Sequence, residues 1–160
     1  MVHHHEVQSV ENIRKVPLLA VLLTGAFVAI LNQTLLVTAL PVIKGDLNID
    51  DNTVQWLQSI FLLVNGIMIP ITAFLIARFS TRTLFLYAMG SFALGTFVCA
   101  IAPEFFTLLI GRVLQAAGAG VMMPLMQTIM FLIFPVEKRG SAMGLFGLII
   151  SFAPAIGPTL

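Results

Sequence analysis

One arginine, followed three residues later by a glutamine, places polar chemistry inside a long apolar segment. Arg112 is the only ionisable residue between Glu104 and Glu137, and Gln115 and Ala119 share its helix face at i+3 and i+7. A charge at the centre of a membrane helix costs about 2.5–3.5 kcal/mol on insertion scales. A polar cavity or an ion pathway would explain such a charge. Alternatively, Arg112 snorkels to the interface near Glu104.

The composition indicates which solvent surrounds the chain. Of its 160 residues, 59% are hydrophobic and 9% are charged. Soluble domains carry about 25% charged residues, so this chain cannot cover a surface that faces water. We therefore predict an integral membrane protein whose first partner is the lipid bilayer. The net charge of +1 and the lack of a long basic cluster give no indication of nucleic-acid binding.

The sequence offers little for metal or redox chemistry. The single cysteine, Cys99, lies in an apolar run, which leaves no disulfide framework or zinc site and favours a packing role. The run His3-His4-His5 could begin a metal site, but a short histidine run near a terminus is more often incidental. We expect no metal and no cofactor.

Uncharged intervals divide the chain into five predicted spans. At a rise of about 1.5 Å per residue, about 20 residues cross a hydrocarbon core of about 30 Å. The predicted fold class is all-α, a polytopic membrane helix bundle with five transmembrane helices. An N-terminal tail of residues 1–15 would precede a bundle of residues 16–160. The predicted spans are residues 16–42, 54–77, 83–102, 106–134 and 140–160.

Lysine and arginine positions predict the orientation of these spans. If the N-terminus is cytoplasmic, only Lys44 among the loop cations faces outwards. The positive-inside rule then favours a multi-pass protein of the plasma membrane with a cytoplasmic N-terminus. The cations that would face the cytoplasm are Arg14, Lys15, Arg78, Arg82, Lys138 and Arg139.

Small residues at helical spacing predict where the helices touch, because lipid provides no hydrophobic drive for helix association. Prolines inside the second, fourth and fifth spans would permit kinks. The predicted contact stripes are Ser91/Gly95/Cys99, Ala116/Gly120, Gly140/Gly144 and Gly147/Ser151/Ala155.

Four stretches, in this order, resemble motifs of the major facilitator superfamily. Residues 31–41, LNQTLLVTALP, look like the L-D-x-T-I-V-N-V-A-L-P signature of multidrug:proton antiporters with fourteen spanning helices. Residues 73–82, AFLIARFSTR, are similar to the G-x-L-a-D-R-x-G-R-K loop. Residues 109–120, LIGRVLQAAGAG, are similar to R-x-x-Q-G-x-G-a in helix four. Residues 153–158, APAIGP, look like the antiporter motif g-x-x-x-G-P-x-x-G-G in helix five.

The resemblance covers residues 16–160 and points to the lincomycin-resistance and drug-export members of the branch. It implies proton-coupled efflux of drug-like or amphipathic small molecules, with protons as the coupling ion. Arg112 and Gln115 would belong to the coupling region, and Asn32 and Gln33 to the cavity side of helix one. The same resemblance assigns Arg78 and Arg82 to the inner loop motif, and Pro154, Gly157 and Pro158 to the bend of the antiporter helix.

The sequence departs from these motifs at their acidic positions. Asn32 stands where the first signature has a carboxylate, and Ala77 stands at the acidic position of the loop motif. No aspartate or glutamate lies deep in any predicted span. The spans therefore offer no obvious proton carrier, and plain membrane topology is the simpler role for Arg78 and Arg82.

The length of the chain gives a further expectation. Superfamily members consist of two related halves of six helices, whereas residues 1–160 supply five helices of the first half. We therefore expect an N-terminal fragment of a longer transporter. The alternatives are a metabolite symporter and a non-transporting membrane protein such as a small assembly partner. An enzyme is the weakest reading, because the spans lack a set of catalytic side chains.

Overall fold

The computed structural model describes residues 3–156, apart from the side chains of residues 3–16, 18, 149 and 153. These residues form five long helices and contain no strand, which confirms the all-α helix bundle. All five helices are long and apolar enough to cross a membrane. The helices are α1 (His3–Leu47), α2 (Asp51–Arg78), α3 (Thr81–Ala100), α4 (Phe105–Ile133) and α5 (Val136–Ile156).

The first helix continues beyond both ends of its predicted span. It already begins at His3, and its membrane-compatible part runs from Leu19 to Leu47. The positive φ of 54° at Asn48 stops the helix, since asparagine tolerates the left-handed conformation that often follows a helix end. Lys44 lies in the last turn and pairs with Asp51 of α2, with 2.6 Å between Nζ and Oδ1. The charge of Lys44 therefore links α1 to α2, and α1 continues beyond Lys44 to Leu47.

The centre of the bundle is α4. More than half of its apolar segment is buried, against less than a quarter for each of the other four helices. It packs mainly against α3 and α2. One apolar cluster joins α4 to Leu22 and Ala26 of α1, to Leu84 and Ala88 of α3, and to Phe146 of α5.

Glycines let α3 and α4 approach each other at backbone distance. A Cβ added at Gly95 would lie 2.6 Å from the backbone nitrogen of Gln115, and one added at Gly111 would lie 2.5 Å from Cys99 Sγ. A Cβ at Gly118 would collide with the backbone carbonyl of Ala88. Ser91 Oγ donates to the carbonyl of Leu114 at 2.8 Å. The predicted Ser91/Gly95/Cys99 stripe is thus confirmed as a helix contact.

Gly120 performs the same role between α4 and α2. A Cβ at this position would lie 2.5 Å from Met68 Cβ. Thr72, fully buried on α2, directs its hydroxyl to the carbonyl of Met68 at 2.7 Å and to that of Gly120 at 3.3 Å. The predicted Ala116/Gly120 contact is also confirmed, with Ala116 buried in a second cluster.

The prediction that the glycines of α5 contact a neighbouring helix is wrong. A Cβ added at Gly140, Gly144 or Gly147 would meet nothing within 4 Å in the described part of the chain. The buried face of α5 instead carries Ala142 and Phe146, which pack into the main apolar cluster. Larger apolar side chains therefore determine which face of α5 turns inward.

Arg139 holds the junction between α4 and α5. Its Nε donates to the carbonyl of Phe134 at 3.1 Å, and its Nη2 donates to the carbonyl of Phe131 at 2.8 Å. The last carbonyls of a helix have no partner within the helix, and a basic side chain can satisfy them. Arg139 thus caps the end of α4 from the first turn of α5.

Candidate functional site

Arg112 lies inside the bundle and not at an interface. Only 2% of its surface is exposed, so the snorkelling alternative is wrong. The neighbouring Gly111 lets α3 approach this turn of α4, which closes the space around the arginine. Gln115, at i+3 on the same face, is also 2% exposed.

Acceptors from three helices surround the guanidinium. Nη1 donates to the side-chain oxygens of Gln115 at 2.7 Å and of Asn32 at 3.3 Å. Nη2 donates to the side-chain oxygen of Gln33 at 2.6 Å. Nε donates to the backbone carbonyl of Leu57 at 3.4 Å. The planar fork of arginine donors can serve several acceptors at once, which a lysine ammonium cannot do in the same geometry.

An aromatic ring contributes a further contact to the cation. The guanidinium carbon lies 4.4 Å from the centre of the Phe61 ring on α2. The negative face of an aromatic ring attracts a cation, by about 0.5–2 kcal/mol depending on how far the pair is desolvated. Phe61 is itself buried, so little water competes for this contact.

The third helix joins the network through Gln115. Its Nε2 donates to Thr96 Oγ1 at 3.0 Å, and Thr96 in turn donates to the carbonyl of Phe92 at 2.9 Å. The Arg112 network, defined as Asn32, Gln33, Leu57, Phe61, Thr96, Arg112 and Gln115, therefore connects α1, α2, α3 and α4.

All four residues assigned to the coupling region and cavity meet in this network, namely Asn32, Gln33, Arg112 and Gln115. Sequence reasoning missed Thr96, Phe61 and the Leu57 carbonyl. A carbonyl has no sequence signal, and Phe61 is one of 13 phenylalanines. The i+3 spacing of Gln115 from Arg112 was the one local signal available.

Every hydrogen-bond acceptor of Arg112 is a neutral group. Among the described residues the only ion pair joins Lys44 to Asp51, at the junction of α1 and α2. A buried charge held by dipoles alone is costly, since an isolated ion loses its hydration without gaining a counter-charge. The network can hold a fixed positive charge, but none of the acceptors that contact it exchanges a proton near neutral pH.

The Arg112 network separates two cavities along α1 and α4. The first, the Leu108 cavity, has a volume of about 330 Å³ and lies on the side of Asn32, Leu108 and Arg112. The second, the Asn65 pocket, has a volume of about 160 Å³ and lies on the side of Gln33 and Asn65. Consecutive residues of α1, Asn32 and Gln33, thus face different cavities while both bind Arg112.

Two of the predicted motifs lie away from this network. Arg78 ends α2, exposed, with its guanidinium 5.3 Å from the Phe74 ring, and Arg82 lies exposed in the first turn of α3. Pro154 lies inside α5 and is exposed. Gly157 and Pro158 lie outside the described residues, as do the side chains of His3-His4-His5. The roles suggested for these residues stay predictions.

The family profile described as Major Facilitator Superfamily matches residues 22–160, most of the chain. The chain belongs to the major facilitator superfamily. With five helices that are able to span a membrane, it is a multi-pass membrane protein, and the resemblance drawn from its motifs is confirmed.

Relatives of the chain include proteins named for lincomycin resistance and for multidrug export. The chain is 64% identical over 143 residues to the uncharacterized MFS-type transporter YcnB of Bacillus subtilis, covering 89% of this chain and 30% of that protein. It is 43% identical over 150 residues to the lincomycin resistance protein LmrB of Listeria monocytogenes, covering 94% and 32% respectively. It is 37% identical over 136 residues to the multidrug export protein EmrB of Haemophilus influenzae, covering 85% and 27%. The chain thus spans about a third of the length of these superfamily members or less.

Proposed function

We propose that the complete protein exports drug-like or amphipathic small molecules across the plasma membrane in exchange for protons. The observation that carries this proposal is the buried Arg112, which lies between two cavities. Its charge is held by side chains of α1 and α4 and by the Leu57 carbonyl of α2. The relatives named for lincomycin resistance and multidrug export support the substrate class.

A charge held by neutral partners on several helices suits a transporter that changes conformation. The acceptors lie on α1, α2 and α4, so a shift of α1 against α4 changes the bonds to Asn32 and Gln33 while Gln115 stays on the same helix as Arg112. The electrostatic energy of the guanidinium then depends on the conformation, because buried charges interact strongly in a low dielectric. This dependence is the physical basis for coupling substrate movement to an ion.

Proton coupling also requires a titratable group, which the neutral acceptors of Arg112 do not supply. We propose that a carboxylate outside the described residues approaches the guanidinium in one transport state. The positive charge would lower the pKa of that carboxylate and release its proton when the two groups meet. Asn32, the amide at the acidic position of the first motif, would then act as a neutral ligand of Arg112.

The test uses the complete reading frame that contains these residues, expressed in cells that lack their own exporters. We expect Arg112→Ala to abolish export driven by the proton gradient, measured as efflux of a fluorescent drug, while the protein still reaches the membrane. Arg112→Lys keeps the charge but loses the planar fork, so we expect at least a tenfold lower rate.

The matched control is Lys138→Gln, which removes an exposed cation that has no part in the network. Its efflux rate should stay close to that of the unmodified protein. Undiminished, gradient-dependent efflux by Arg112→Ala would reject the coupling role. Efflux that survives collapse of the proton gradient would reject protons as the coupling ion.

A further inference from the structure

Asn65, which lines the Asn65 pocket, has a buried side-chain oxygen without a hydrogen-bond donor. Asn65 Oδ1 on α2 is the only such buried side-chain atom among the described residues. The pocket lies between α1, α2 and α4 and has a volume of about 160 Å³. A buried acceptor without a donor is unfavourable, so an occupant that offers a donor would be held there.

Gln33 supplies a second polar group to the same pocket. Its side-chain oxygen accepts from Arg112 Nη2 at 2.6 Å, which fixes the orientation of the amide. The N–H groups of Gln33 Nε2 find no acceptor in the part of the chain that the structure describes. The pocket wall therefore combines an amide acceptor on α2 with an amide donor on α1.

The rest of the wall is apolar and its volume suits one ring. An apolar cavity of about 150 Å³ is large enough to bind benzene, and the Asn65 pocket is of similar volume. Phe61 and two methionines contribute aromatic and polarizable surface, which favours contact with an aromatic ring. The apolar lining residues are Ala26, Ala29, Ile30, Phe61, Leu62, Ala119, Met122 and Met123.

Gly120 maintains the space around the Asn65 side chain. A Cβ at position 120 would lie 2.9 Å from Asn65 Oδ1 and would crowd the oxygen from the side of α4. Without that carbon, α4 passes close to Asn65 and still leaves the oxygen without a partner from the protein.

We propose that the Asn65 pocket is a binding subsite for an uncharged, single-ring group that carries a hydroxyl. The hydroxyl donates to Asn65 Oδ1 and accepts from Gln33 Nε2. A cation is disfavoured, because Arg112 lies directly behind Gln33. The inference rests on the proposed function for its meaning, since it specifies one part of the molecules that are exported.

The test measures binding to the purified product of the complete reading frame in lipid nanodiscs, with no proton gradient. The probes are 4-fluorophenol and 4-fluoroanisole, in which the oxygen attached to the ring carries a hydrogen that can be donated or a methyl group that cannot. Fluorine NMR titrations report saturable binding, and empty nanodiscs give the background of partitioning into lipid. We expect the phenol to bind about fivefold to tenfold more tightly than the anisole, the effect of one net hydrogen bond.

Three variants separate the pocket from general effects. Asn65→Leu should remove the preference for the phenol, and Ala29→Leu should fill the pocket and abolish saturable binding of both probes. Asn52→Leu makes the same substitution as the first variant on the same helix, at an exposed position, and should bind like the unmodified protein. If Asn65→Leu fails to fold, the probe pair and Ala29→Leu still decide the matter.

Equal binding of both probes, absence of saturable binding, or a phenol preference that survives Asn65→Leu would each overturn the subsite. Absence of saturable binding would indicate that water alone satisfies Asn65. If the proposed function is wrong and the subsite is right, the result is different: the protein prefers the phenol but shows no efflux driven by the proton gradient.

Discussion

The acceptors of the Arg112 guanidinium form a short pair and a long pair. Gln33 and Gln115 lie at 2.6 and 2.7 Å, whereas Asn32 and the Leu57 carbonyl lie at 3.3 and 3.4 Å. Hydrogen bonds to a charged donor are strongest at the shorter distances. Among the described residues, Gln33 is the only acceptor for Nη2, so its removal leaves that nitrogen of a buried cation without a hydrogen bond.

At the residue scale, we predict that Gln33→Leu destabilises the protein more than Asn32→Leu. Loss of a hydrogen bond to a buried charge costs about 1.5–3 kcal/mol, and Gln33 is the acceptor for Nη2. Asn32→Leu should cost less than about 1 kcal/mol, because Nη1 keeps its short bond to Gln115. Thermal unfolding midpoints of the purified proteins in one detergent provide the measurement.

The expected order follows from geometry alone, because both substitutions place leucine on adjacent positions of α1. An Asn32→Leu midpoint equal to or below that of Gln33→Leu would contradict the hydrogen-bond assignment. The double variant should be close to additive only if Nη1 and Nη2 act independently.

At the element scale, the close approach of α3 and α4 depends on glycine. The atoms that a new Cβ would meet at Gly95 and Gly118 include backbone atoms of the facing helix, which cannot move aside as a flexible side chain can. In membranes, helices associate largely through such close packing and through interhelical hydrogen bonds. The contact also positions Gln115 to reach Thr96 across the interface.

We therefore predict that Gly95→Ala and Gly118→Ala lower the thermal midpoint, whereas Gly144→Ala leaves it unchanged or raises it. Each substitution gains helix propensity of up to about 1 kcal/mol, but forcing a methyl group into a packed interface typically costs about 1–3 kcal/mol. Gly144 is the matched control because a Cβ there meets nothing within 4 Å. Equal thermal midpoints for all three variants would show that the contact between α3 and α4 accommodates a methyl group without loss of stability.

At the scale of the whole molecule, the orientation of the bundle stays a prediction from the positions of its loop cations. Asp46 and Glu104 lie exposed at one end of the helices, and Lys138 lies exposed at the other. Antiparallel connections place residues 46 and 104 on the same side of the membrane and residue 138 opposite.

We predict that the side of residues 46 and 104 faces outwards. In a Cys99→Ser background, a thiol reagent that does not cross membranes should label Asp46→Cys and Glu104→Cys in intact cells. It should label Lys138→Cys only after the cells are broken. Labelling of residue 138 in intact cells, with residues 46 and 104 protected, would reverse the orientation.

The sequence determined the features that follow from transferring a chain into lipid. Apolar runs of sufficient length had to become spanning helices, since lipid leaves backbone polar groups no other partner. A charge at Arg112 is costly in hydrocarbon, so a polar neighbourhood shared with Gln115 was one of two alternatives that the sequence offered, and the amides of the first motif came from the family resemblance. The small residues of α3 and α4 were equally informative.

Only the tertiary structure decided which partners these residues meet. Gln33 and Asn32 are adjacent in sequence, and their different bond lengths depend on how α1 lies against α4. The Leu57 carbonyl, the Phe61 ring and the Thr96 hydroxyl come from two other helices, with no spacing in the chain that links them to Arg112. Gly140 and Gly144 of α5 have the same i, i+4 spacing as Ala116 and Gly120 of α4, yet a Cβ at either α5 position would meet nothing within 4 Å in the described part of the chain. Sequence spacing defines the faces of one helix. Which face meets which neighbour depends on the arrangement of all helices that has the lowest free energy.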